Sequence, residues 1–113
     1  LGHALEMAQS SNVKIVFHSL NIPMISGARK YGEKGFFAGG AADNRMYYQQ
    51  FIEFEDNIDE VMQMLLYDPQ TSGGLLLACS PDKLPYFKQE AKKFDLPYWI
   101  IGEAIKGDGI LVK

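Results

Sequence analysis

Apolar and polar positions follow two different periods along this chain, and the points where the period changes mark its elements. Leu1, Leu5 and Ala8 fit helical spacing, and the polar run Gln9, Ser10, Ser11, Asn12 closes that helix. Val13, Ile15 and Phe17 then alternate with Lys14 and His18 in the manner of a strand. Asn21 and Pro23 mark the start of a second helix, with Met24, Ile25, Ala28 and Tyr31 as its buried face and Gly32 as its stop. Four glycines between positions 32 and 40 predict a loop. The aromatic stretch from Met46 to Phe54 reads as a strand.

The clearest helix follows. Ile58, Val61, Met62, Leu65 and Leu66 form one apolar stripe, and Asn57 with Glu60 three residues later resembles a capping box. Positions 68–74 are rich in turn formers, and residues 75–78 predict a short strand buried on both faces. A last helix is expected from about Leu84, because Pro85 fits only a first turn; Leu84, Phe87, Ala91 and Phe94 are its apolar side. Residues 98–101 and 110–112 are predicted as closing strands, joined through Gly107, Asp108 and Gly109. Helices and strands in this order predict a single α/β (α+β) domain over residues 1–113, a mixed sheet with helices packed on it.

Composition narrows the functional classes. Apolar residues make up 47% and charged residues 22% of 113 residues, which fits a packed domain and not a disordered chain. The net charge is −3 and no Lys/Arg-rich run exists, so no nucleic-acid partner is expected. No apolar stretch nears the ~20 residues that span a bilayer, so no membrane partner is expected either. The lone Cys79 has no disulfide partner within the chain, which suits a reducing, cytoplasmic setting.

Most candidate sites give way to plain structural readings. His3, His18 and Cys79 have no zinc-ligand spacing, and Cys79 reads as a small core residue. GARKYGEKG at 27–35 has P-loop glycine spacing, but Glu33 stands where the phosphate-reaching lysine belongs. Asp56, Asp59 and Glu60 sit at a helix N-terminus, where carboxylates cap backbone donors and oppose the dipole; no metal site is expected. The segment Asp68, Pro69, Gln70, Thr71, Ser72, Gly73, Gly74 is different. It gathers hydroxyls, an amide, a carboxylate and two glycines whose backbone an anion can approach closely. The same residues also suit a tight turn feeding a strand.

DPQTSGGLL at 68–76 resembles the signature segment in the second half of selenophosphate synthetases (selenide, water dikinases). LGHALEMA at the start resembles the end of another segment of that family. The stretch closing on Gly39 and Gly40, with Asn44 after it, is similar to the family's glycine loop, although Ala38 and Ala41 stand where the family often has Pro and Thr. The resemblance implies the C-terminal domain of an enzyme that makes selenophosphate from selenide, ATP and water, with release of AMP and phosphate. It implies a fold shared with aminoimidazole ribonucleotide synthetase and thiamine-monophosphate kinase. It further implies that ATP, Mg²⁺ and the nucleophile belong to an N-terminal half, which would be this domain's partner within a homodimer. By that expectation the chain is part of something longer and contains no catalytic residue itself. Asp68, Gln70, Thr71, Ser72, Gly73, Gly74 and Asn44 are the candidates for lying near substrate or phosphate. The alternatives are the matching domain of another ATP-dependent enzyme of the superfamily, or a stand-alone small-ligand module.

Overall fold

A computed structural model describes residues 1–70 and 72–113. Helix α1 (Gly2–Ser11) ends where Asn12 takes a left-handed conformation, with φ of 52°. Its short polar side chain tolerates that turn, as the polar run 9–12 predicts. Strand β1 (Val13–Phe17) follows as expected.

Helices α2 (Ala28–Gly32), α3 (Gly40–Tyr48) and α4 (Glu60–Leu66) come next in the chain, with strand β2 (Ile52–Phe54) between the last two. Helix α5 (Leu84–Lys93) and strands β3 (Gly102–Lys106) and β4 (Ile110–Val112) complete it. The sheet runs β2-β4-β1-β3. β4 is parallel to both β1 and β2, while β3 is antiparallel to β1. The result is the mixed sheet with packed helices that the periodicity implies.

β3 and β4 are consecutive but do not pair, because β1 lies between them. The connection through Gly107, Asp108 and Gly109 therefore passes the N-terminal end of β1, where the Ile15 N–H donates to the Gly109 carbonyl at 3.1 Å. Gly109 has φ of +75°, and a Cβ there would lie 2.7 Å from the Phe51 carbonyl oxygen. Only glycine accommodates both demands. Gly102 is constrained more severely by space: a Cβ would fall 2.1 Å from the Val16 carbonyl oxygen.

The main core lies between the sheet and helices α1, α3 and α4. Ala4, Leu5, Phe17, Ala41, Ile52, Ile58, Met62, Tyr67, Ile110 and Val112 form it, and Ile110 and Val112 are fully enclosed. β4 is central because it is flanked by β1 and β2 and supplies these two side chains.

Several expectations are corrected. The helix predicted from Asn21 is a 3-10 turn (Ser19–Asn21) followed by the short α2; Gly27, at φ of 88°, prevents one continuous helix. Met24, Ile25 and Tyr31 consequently face solvent instead of the core. The strand predicted over 46–54 is mostly helix α3 and a 3-10 turn (Gln49–Phe51), with strand only at Ile52–Phe54. Ala41, Asn44 and Tyr48 turn one face inward at helical spacing, and this packing overrides the strand preference of the aromatics. The cap of α4 is Asp59, not Asn57: its carboxylate accepts the Met62 N–H at 2.9 Å.

The buried strand predicted at 75–78 is absent. Leu75 is 89% and Leu77 60% exposed, and Cys79 is exposed rather than in the core. A short apolar run carries no period of its own, and here it has no neighbouring strand to complete its ladder. The strand expected at 98–101 begins instead at Gly102, the first residue in register with β1. The last helix starts at Leu84 as expected and buries Ala91, with Leu84 and Phe87 partly covered, but Phe94 is exposed.

Candidate functional site

Segment 68–74 leaves the core where α4 ends. Tyr67 is the C-cap of α4, and its ring is buried edge-on to Phe54, with centroids 6.0 Å apart. Burial pushes the Tyr67 phenol above its ordinary pKa, because the ionised form is disfavoured away from water. The Asp68 N–H returns to the Leu65 carbonyl at 3.3 Å, and the Gln70 N–H to the Asp68 carbonyl at 2.9 Å. These bonds make the first part of the segment a tight, local turn.

α3 lies against that turn. Asn44 Nδ2 donates to the Tyr67 carbonyl at 2.9 Å in a half-buried setting. Gly40, at the start of α3, leaves room for Pro69; a Cβ there would sit 3.2 Å from Pro69 Cγ. The structure thus brings Asn44 together with the beginning of 68–74, two segments 23 residues apart in sequence. Asp68 is half-buried; Gln70, Ser72, Gly73 and Gly74 are exposed. Among the described residues nothing approaches within 4 Å of where a Gly74 Cβ would be, and at Gly73 the nearest atom is Gln70 Oε1, 3.1 Å away. The backbone of the two glycines is therefore open to a ligand. Thr71, the remaining candidate, lies outside the described residues.

The carboxylates at the opposite, N-terminal end of α4 are already engaged. Asp59 is paired with Arg29, which also meets Glu33 at 3.3 Å, and Glu60 is paired with Arg45. Hydrogen bonding from Arg29, then the Met62 N–H, holds the Asp59 carboxyl below its ordinary pKa. Among the described residues no group of three or more His, Cys, Asp or Glu is arranged to hold a metal ion. The donor set near 68–74 is one carboxylate, amides, a hydroxyl and free backbone. It fits contact with an anionic ligand and does not fit Mg²⁺ coordination by itself.

Sequence reasoning passes over Arg45, and it reads Gly40 as part of a loop and not as the place where Pro69 packs. Arg45 ties α3 to α4 through Glu60 and through Met64 Sδ at 3.5 Å. Reading 40–48 as a helix would have exposed the signal, since Ala41, Asn44 and Tyr48 then share a face.

The relatives this chain matches include three named selenide, water dikinase. The chain is 36% identical over 108 residues to that of Rhizobium meliloti, covering 95% of this chain and 31% of the relative. It is 41% identical over 103 residues to that of Caldanaerobacter subterraneus, covering 90% and 30%. It is 44% identical over 78 residues to that of Clostridioides difficile, covering 69% and 22%. The chain thus spans less than a third of the length of these curated relatives. No helix among the described residues is long and apolar enough to cross a membrane. Residues 1–113 match the family described as AIR synthase related protein, C-terminal domain, and the chain belongs to that family.

Proposed function

We propose that this chain is the C-terminal domain of a selenophosphate synthetase, a selenide, water dikinase that forms selenophosphate from selenide, ATP and water with release of AMP and phosphate. The observation that carries the reading is the shared name of relatives that align over 90–95% of the chain, together with DPQTSGGLL at 68–76. ATP and Mg²⁺ are the cofactors of the whole enzyme, and its setting is the cytoplasm.

Phosphoryl transfer needs carboxylates that hold Mg²⁺ and cationic groups around the phosphates. In this reading those come from an N-terminal domain of the same polypeptide, which is this domain's partner within a homodimer. What this chain contributes is the open backbone at Gly73 and Gly74 and the polar groups of Gln70, Thr71 and Ser72. They cover a phosphate or selenium-bearing intermediate from one side.

The test is ATP turnover by the full-length protein that carries this chain. AMP and phosphate should form only when selenide is present. ATP consumption that ignores selenide, or that ends at ADP, overturns the reading and favours another ATP-dependent member of the superfamily. The chain alone should release no AMP above a blank.

A further inference from the structure

We propose that Asn44 is a positioning residue for segment 68–74: its amide fixes the point at which that segment leaves the core. The geometric part stands by itself, while the kinetic consequence rests on the function proposed above.

Tyr67 closes α4, so its carbonyl is one of those that a helix C-terminus leaves without an intrahelical partner. Asn44 Nδ2 supplies the partner at 2.9 Å. The side-chain N–H is thereby committed to the protein's own backbone. Neighbouring contacts hold the same point. The Tyr67 ring is buried against Phe54, and Pro69 rests where Gly40 has no side chain. Arg45, next to Asn44, grips the first turn of α4 through Glu60 and its middle through Met64. α3 therefore spans α4 from its first turn to its C-cap, with Asn44 as the contact at the loop end.

The chemistry of position 44 follows from this. Alanine leaves the Tyr67 carbonyl without its donor. Glutamine keeps the donor on a side chain one methylene longer. Neither substitution removes a group that touches the open glycines.

Amide hydrogen exchange on the chain is the first measurement. Asn44→Ala should speed exchange at Asp68 and Gln70 about tenfold, the scale of one net hydrogen bond, with the β4 amides unchanged. Asn44→Gln should recover part of the protection. Gly40→Ala, which crowds Pro69, should loosen the same amides by a different route. In the full-length protein, Asn44→Ala should lower kcat for selenide-dependent AMP formation about tenfold and leave KM for ATP in place. Unchanged exchange at Asp68 and Gln70 in both Asn44→Ala and Gly40→Ala overturns the proposal. So does full kcat in Asn44→Ala when the wild-type protein is active. A wild-type protein with no selenide-dependent turnover, but with the exchange pattern described, overturns the functional reading and leaves the positioning role intact.

Discussion

Arg29 of α2 pairs with Asp59, the residue whose carboxylate also caps α4. One carboxyl group thus satisfies a backbone donor of one helix and holds a second helix against it. The pair explains why α2, only five residues long, keeps its place: α2 and α4 pack together, and Gly32 lets the Val61 side chain approach so closely that a Cβ would lie 2.8 Å from it.

The first prediction concerns this cap and its pH dependence. Asp59→Ala should lower the melting temperature more than Asp59→Asn, because asparagine still accepts the Met62 N–H. The folded-state pKa of Asp59 is depressed. Its charge therefore stabilises the fold above the ordinary aspartate value of about 3.9 and loses that effect as pH falls through the lower folded value. Melting curves of wild type and Asp59→Asn from roughly pH 6 to pH 2 should converge at the acid end. A gap that stays constant over that window would show that the Arg29 pairing contributes nothing.

The second prediction concerns β4. Ile110 is fully enclosed at the centre of the sheet. Ile110→Ala should cost about 2–5 kcal/mol in urea unfolding, and Ile110→Val about 0.5–1.5 kcal/mol. Gly102→Ala should be at least as damaging as a typical overpacked site, about 1–3 kcal/mol, because the added atom meets backbone and not a movable side chain. Equal stability of Gly102→Ala and wild type would refute the β1–β3 register.

A third expectation follows from the apolar groups left bare. Leu75, Leu77, Leu96 and Trp99 are all more than half exposed. An exposed apolar surface of this kind promotes association in the absence of a partner. Sedimentation of the chain should show an average mass that rises with concentration, and Leu75→Ser with Leu77→Ser should reduce the rise. A strict monomer at high concentration in wild type would contradict this.

The sequence was legible where a single element explains itself. The stripe of α4, the break at Asn12 and the start of α5 at Leu84 all rest on local spacing and local chemistry. It was misleading where tertiary contacts decide. Tyr47, Tyr48 and Phe51 favour a strand by type, yet Ala41 and Asn44 draw the segment into a helix against α4. Residues 75–78 are apolar enough for a buried strand, but burial requires a neighbour that no local pattern specifies. The same division holds at the candidate site. The glycines and polar groups of 68–74 stand out by composition. The bond from Asn44 to Tyr67 does not, because it joins residues that only the fold brings together.

The last prediction asks whether residues 71–74 meet a ligand. Among the described residues nothing crowds Gly74, and its φ is not positive, so Gly74→Ala should leave the melting temperature unchanged. At Gly73 the nearest obstacle is the end of the flexible Gln70 side chain, so Gly73→Ala should also be mild. Any loss of activity at these positions then cannot be charged to the fold. If the backbone here approaches a phosphate or selenium-bearing group in the full-length enzyme, an added Cβ obstructs that approach. Gly74→Ala should then slow selenide-dependent AMP formation while the protein stays fully folded. Thr71→Val should act in the same direction, since it keeps the shape and removes a hydroxyl donor. Loss of one such bond made in the transition state corresponds to about a ten- to hundredfold fall in rate. Activity and melting must be measured on the same preparations. Full activity in both variants, or a loss of activity matched by a loss of stability, would make 71–74 a turn and nothing more.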